Sequence, residues 1–192
     1  LRNRPFLFGI GSILLIDLIW SRNRFGSLSG GALPIAHGGA ADLFSKFAQS
    51  WHPVAMGSAS PSPTWLEITG VASALTLGNM SFFIATLFFL APAVAFIAMY
   101  RALKRNGLSV RVSSAGGVIY SFSPVLINAI NQGRLGTLVI ALLLPSFTSL
   151  RLYVFNSRTN WRRIYTTGLF AGFIGAFSPI LLIIWSTSLL AI

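Results

Sequence analysis

Polar and apolar positions in this chain are sorted into long uncharged runs separated by short basic clusters. Thirty-three residues without a charge separate Glu67 from Arg101, another 22 separate Arg111 from Arg134, and the last 29, from Ile164 onward, carry none. A helix that crosses a membrane needs about 20 predominantly apolar residues, since the hydrocarbon core is about 30 Å thick and each residue rises about 1.5 Å. The runs predict an all-α membrane protein with about five transmembrane helices, at residues 5–20, 79–100, 112–130, 135–150 and 164–190. The first is short, with Arg2 and Arg4 before it and Arg22 and Arg24 behind. The 33-residue run is too long for one untilted helix. Gly78-Asn79 is therefore read as a break, which leaves Glu67 to Leu77 as a short helix near the interface. Pro92 is expected to kink the second span, and snorkelling of Arg134 and Arg151 completes the ends of the fourth.

Residues 21–69 form a long first loop, rich in Gly, Ser, Pro and His between Phe25 and Thr64. Within it, residues 40–51 (AADLFSKFAQSW) set Leu43, Phe44, Phe47 and Trp51 at helical spacing. Asp42 falls near the first turn, where the helix dipole favours a negative charge. The pattern predicts a short amphipathic helix lying along the membrane surface and stopped by His52-Pro53. Pro61 and Pro63 then give an extended return toward Trp65, a residue type favoured at the interface.

Lys and Arg in short loops are held on the cytoplasmic side. With the first residue inside, ten basic residues lie inside (Arg2, Arg4, Arg101, Lys104, Arg105, Arg111, Arg151, Arg158, Arg162, Arg163) and four outside (Arg22, Arg24, Lys46, Arg134). The expected location is the bacterial cytoplasmic membrane, multi-pass, with the N-terminus inside and the long first loop extracytoplasmic. A signal peptide is rejected for the first run, because the context from Trp20 to Arg24 lacks the small-residue pattern of a cleavage site. Residue 1 is Leu and residue 192 lies inside an apolar run, so the chain is expected to be a fragment of a larger polytopic domain.

Composition agrees with the runs. The chain is 54% hydrophobic and 9% charged, against about 25% charged in an ordinary soluble domain, which excludes a water-soluble globule. The net charge of +11 comes from having only three carboxylates. A dense basic patch is not its source, so the partner it implies is the lipid bilayer and no nucleic acid. The absence of Cys removes disulfides, thiolate nucleophiles and cysteine-ligated metal. A weak internal echo pairs Ala115-Gly116 and Phe122-Ser123-Pro124 with Ala171-Gly172 and Phe177-Ser178-Pro179. It reads as two independently kinked helices or as a repeat. In either case the Ser before Pro helps satisfy the carbonyl that proline frees.

Several short motifs occur in order: residues 29–34 (SGGALP), 42–44 (DLF), 50–54 (SWHPV), 57–61 (GSASP) with Pro63, and 132–137 (QGRLGT) with Leu144-Pro145. Together, over about residues 10–150, they resemble the membrane region of large actinobacterial family 2 glycosyltransferases. The resemblance implies a parent that joins a cytoplasmic nucleotide-sugar-binding domain to a long multispanning domain. That catalytic domain is not in this sequence, which has no alternating strand and helix pattern and no Asp-x-Asp. Its only acids are Asp17, Asp42 and Glu67. The region is also similar to the opening of the polytopic fold that uses lipid-linked sugars, where a first span leads to a long outer loop with surface helices and an acidic catalytic residue. The implied partners are a polyprenyl-phosphate sugar, an envelope glycan and the missing flanking domains. No cofactor is expected within this segment. Likeness of fold and loop order does not by itself establish activity.

Asp17, near the outer end of the first span, suits a general base for an acceptor hydroxyl. The alternative is an interfacial carboxylate paired with Arg22 or Arg24. Asp42 is a second catalytic candidate, with His37 and His52 near it, or a helix-start carboxylate. Glu67 has the same plain explanation. Arg134 is the sole charge between Arg111 and Arg151. Its guanidinium can fork onto a lipid phosphate, with Asn128 and Gln132 adding amide hydrogen bonds, or it is a snorkelling interface marker. Trp51, His52 and residues 58–63 either line a sugar cleft or pack within the loop. The scattered His and acidic residues do not have metal-site spacing. The basic clusters at Arg101 to Arg111 and Arg151 to Arg163 are topology determinants and contacts for anionic lipid heads. The leading expectation is the N-terminal part of the multispanning domain of a cell-envelope glycosyltransferase. The alternatives are a transporter or flippase module built on the Ser-Pro helices and a non-catalytic membrane anchor.

Overall fold

The computed structural model describes residues 4–21, 39–51, 59, 65–155 and 161–190. Among the described residues every regular element is helical. In order these are α1 (Arg4–Ser21), α2 (Gly39–Ala48), α3 (Trp65–Ser73) running into one 3-10 turn (Ala74–Thr76), α4 (Met80–Arg105), α5 (Val110–Ser121), α6 (Pro124–Asn131), α7 (Leu135–Phe155), α8 (Trp161–Phe177) and α9 (Pro179–Leu190). Three stretches are long and apolar enough to cross a membrane: Arg4–Ser21, Met80–Arg105 and Val110–Asn131, the last comprising α5 and α6. Leu135–Phe147 and Ile164–Phe177 are shorter apolar helices. Outward faces are apolar as well. Leu7, Phe8, Leu15, Leu18 and Ile19 of α1 are each more than half exposed, a surface that suits a membrane protein and not a monomer in water.

Turn chemistry sets the helix boundaries. The break expected at Gly78-Asn79 is present. Leu77 and Gly78 take left-handed backbone (φ 54 and 78), Leu77 N–H donates to Ala74 O at 3.1 Å, and Gly78 N–H donates to Ser73 O at 3.0 Å. That paired arrangement closes a helix by satisfying its last carbonyls. Asn79 then caps α4, its side-chain oxygen accepting from Phe82 N–H at 3.0 Å. The same paired bonds end α4 at Gly107 and α6 at Gly133. α4 extends past Tyr100 to Arg105, because Lys104 and Arg105 in its last turn complement the dipole.

The third and fifth of the expected spans are each divided. α5 gives way to α6 at Phe122-Ser123, and α8 to α9 at Ser178. In both cases Pro is the first residue of the new helix, where its missing N–H costs nothing. Pro92, by contrast, sits inside an unbroken α4.

α4 is the centre of the packing, touching α1, α3, α5 and α7. One apolar cluster gathers Met80, Ile84 and Phe88 of α4 with Leu126 and Ile130 of α6, Leu135 and Leu138 of α7, and Leu43 of α2. A second joins Ile13 of α1 to Ala93 and Phe96 of α4. The amphipathic helix expected in the first loop is present as α2, and its Leu43 is 2% exposed and packs on protein. α2 ends earlier than expected, at Ala48. Ala48 to Trp51 are exposed, and a short helix without packing on its last turn does not propagate.

Two interhelix hydrogen bonds act where proline alters a helix. Tyr120 Oη donates to Ala141 O at 2.7 Å. Ala141 is four residues before Pro145, so its carbonyl is the one that proline leaves without an intrahelical N–H. Ser121 Oγ is 2.9 Å from Pro92 O and 2.9 Å from Gly117 O.

Candidate functional site

The buried positions of α1 are Gly9, Ile13, Asp17 and Ser21. A spacing of four lays them along one helix face, so Asp17 belongs to the stripe turned into the bundle. It is 4% exposed. Ser21 Oγ donates to the Asp17 backbone carbonyl at 2.6 Å, which keeps that hydroxyl local to the end of α1. Taking a carboxylate out of water costs several kcal/mol. Asp17 is one of only three acids in the chain and lies buried within an apolar helix.

One turn on, Trp20 packs against the cluster that holds Leu43, Met80, Ile130 and Leu135. The Asp17 end of α1 is thereby turned toward this cluster, while α1 as a whole packs on α4 and α5. α2 is fixed to the Gly78 turn by its first residues. Ala40 N–H donates to Gly78 O at 3.2 Å, and a Cβ at residue 39 would fall 2.9 Å from the same oxygen. Gly39 is thus required by close backbone approach as well as by its φ of 71.

Asp42 is in the first turn of α2, with Oδ2 2.6 Å from Lys46 Nζ one turn later. Ser45 Oγ donates to its backbone carbonyl at 2.8 Å. The pair is partly exposed, and such pairs contribute little to stability. Trp51 lies past the end of α2 and is 56% exposed. Glu67 is exposed in the first turn of α3. His52 lies outside the described residues, as do His37, Arg22, Arg24 and, apart from Ala59, the stretch from 58 to 63.

Asn128 and Gln132 stand four apart at the end of α6 and share a face, both exposed. Gln132 N–H donates to Asn128 O at 3.0 Å, Arg134 N–H donates to Ala129 O at 2.9 Å, and Leu138 N–H donates to Arg134 O at 3.0 Å. The backbone of Arg134 thus joins α6 to α7 while its side chain stays exposed. An exposed guanidinium within a few residues of two exposed amides suits an anionic oxygen ligand. These three residues are brought into one turn. Trp20, three residues after Asp17, packs against the cluster that includes Ile130 and Leu135. Asp42 is held apart in its own local pair.

A feature that reading the sequence did not assemble is an apolar groove of about 410 Å³ bordered by α3, α4, α7 and α8. Ile68, Phe83, Leu87, Val94, Phe173 and Phe177 line it, and Arg101 and Arg105 stand at the α4 C-terminal end. The signal for its basic end was present as two arginines four apart, on one face of α4. Among the described residues no three His, Asp or Glu side chains are gathered as a metal site would need.

Set against known protein families, curated proteins and solved structures, the chain matches none.

Proposed function

We propose that the chain is part of the multispanning domain of a cell-envelope glycosyltransferase and that it handles a polyprenyl-phosphate sugar at the Asp17 end of the bundle. In this reading α1, α4, α5 with α6, α7, and α8 with α9 make five crossings of the bacterial cytoplasmic membrane, with the N-terminus inside. Residues 21–69 then form the extracytoplasmic loop, and α2 and α3 are its helices. The observation that carries the reading is the buried Asp17, 4% exposed on the inward face of an apolar helix. An ionisable group inside a membrane helix marks a functional position by default. Asp17 serves as general base toward an acceptor hydroxyl. Arg134, with Asn128 and Gln132, holds the lipid phosphate as a bidentate donor with flanking amides. Trp51 and His52 border the sugar.

Sugar transfer by membranes carrying the full-length parent tests this. Asp17→Asn is expected to abolish transfer, and Arg134→Ala to reduce it sharply with normal membrane insertion. Unchanged transfer in both variants removes the reading. Because the chain has no Cys, single cysteines test the topology directly. One at Asn106 should label only from the cytoplasmic side and one at Gly133 only from outside.

The helix breaks at Ser123-Pro124 and Ser178-Pro179 favour a second reading, a transporter or flippase module, since discontinuous helices expose backbone groups to a substrate route. Lipid-linked sugar translocation without transfer would select it.

A further inference from the structure

We propose that the groove bordered by α4, α7 and α8 seats one anionic phospholipid, its phosphate held by Arg101 and Arg105 and an acyl chain lying along Ile97, Val94 and Phe173. The charge distribution leaves these arginines open to an outside partner. The C-terminal end of α4 and the start of α5 carry Arg101, Lys104, Arg105 and Arg111, while the chain's three carboxylates are Asp17, Asp42 and Glu67. Asp17 lies in the last turn of α1, and its neighbour Trp20 joins the cluster containing Met80 at the opposite end of α4. Asp42 pairs with Lys46. Glu67 begins α3, whose Ile68 borders the groove at its Phe83 end. No side-chain carboxylate among the described residues therefore sits beside the α4 arginines.

Lys104 is accounted for separately, its Nζ donating to Leu108 O at 3.0 Å. The two groove arginines stand one turn apart, where like charges repel unless a shared anion bridges them. A phosphate diester offers that bridge, since guanidinium forks match its paired oxygens.

Dimensions fit the rest of the molecule. From Phe83 to Arg101 the groove follows α4 for about 27 Å at about 1.5 Å per residue, against about 15 Å for one leaflet of a 30 Å core. A chain anchored at Arg101 reaches the bilayer midplane well inside the groove, on a lining that is apolar apart from Ser146 and Thr69. This inference rests on the bilayer placement proposed above and not on the sugar-transfer reaction.

The test is lipid retention by the full chain purified in mild detergent from nanodiscs of mixed phosphatidylglycerol and phosphatidylcholine, read by native mass spectrometry. Phosphatidylglycerol is expected to be retained in preference to phosphatidylcholine. Arg101→Gln with Arg105→Gln should lower that retention about 30-fold, the combined effect of two basic groups beside an anionic head. Lys104→Gln should leave it nearly unchanged. Val94→Trp fills the groove from a position already 41% exposed and should lower retention with every charge intact. Equal retention of the two lipids, or no loss in the double arginine variant, overturns the proposal, as does equal loss in Lys104→Gln. Full retention in Val94→Trp also overturns it. Carbonate extraction separates this failure from the other: release of the chain from membranes refutes the bilayer placement, whereas a retained chain with indifferent lipid binding refutes only the groove.

Discussion

Tyr120→Phe removes one oxygen from a half-buried ring and tests how α5 and α7 are joined. The phenol donates to Ala141 O at 2.7 Å, and Ala141 is 6% exposed, so water cannot readily replace the lost donor. Leaving a buried carbonyl unsatisfied costs about 1–3 kcal/mol, and polar contacts between membrane helices reach about 1.7 kcal/mol at most. A loss of about 1–1.5 kcal/mol is expected where those ranges overlap. The cause assigned to the bond gives a sharper expectation. Pro145 has no N–H for the carbonyl four residues back, and Pro145→Ala restores one. In the Pro145→Ala background Tyr120→Phe should therefore cost less than about 0.5 kcal/mol, a coupling of about 1 kcal/mol between residues on different helices. The assay is a double-mutant cycle on reversible unfolding in detergent, with all four proteins in one mixed micelle. Equal cost of Tyr120→Phe in both backgrounds would refute the idea that the phenol substitutes for the missing amide.

Further substitutions test the close approaches and caps. A Cβ at Gly117 would lie 2.6 Å from Phe96 Cδ2 and 3.1 Å from Phe96 O, and one at Gly9 would lie 2.8 Å from Phe96 Cζ. Gly117→Ala and Gly9→Ala are each expected to lower the unfolding midpoint, by about 1–3 kcal/mol of overpacking. Phe96→Leu should rescue Gly9→Ala better, because only at Gly117 does backbone also obstruct. Gly11→Ala, with nothing within 4 Å of the added carbon, should be neutral or stabilising by about 0.5–1 kcal/mol. Asn79→Ala removes the acceptor for Phe82 N–H and should cost about 1 kcal/mol, seen as fraying of the first turn of α4 by hydrogen exchange.

Helix positions were legible where a local rule decides them. The uncharged run after Glu67 had to break, and Gly78-Asn79 supplied both a left-handed residue and a cap. In the structure the left-handed backbone begins one residue earlier, at Leu77, so that the terminating turn and the cap are adjacent. The Ser-Pro sites differ in degree. At Ser178 one residue separates α8 from α9, with Ser178 N–H donating to Ile174 O and Leu182 N–H to Ser178 O, as in a kinked helix, whereas two residues separate α5 from α6. For α2 the sequence leaves a different question open. Periodicity identifies which side of a helix is apolar, but not whether lipid or protein covers it, and at Leu43 the cover is protein.

The interior was not legible, and Phe96 shows why. It lies at 0% exposure between Gly9 of α1 and Gly117 of α5, residues separated by over a hundred positions. In the sequence each glycine is one of 18 and Phe96 is one of 16 phenylalanines, so nothing local distinguishes this pair from Gly11 or Gly168, which meet no neighbour. In lipid the outer face of a helix is as apolar as the inner one, which removes the contrast that identifies a core in water. Volume remains as the discriminator, since a small residue on one helix must face a large one on another, and it becomes visible only when the helices are assembled. Polar side chains escape this degeneracy because lipid penalises them wherever they point. That is why Asp17 and Arg134 stood out in the sequence, whereas the groove at Arg101 and Arg105 emerged only once α4, α7 and α8 were placed together.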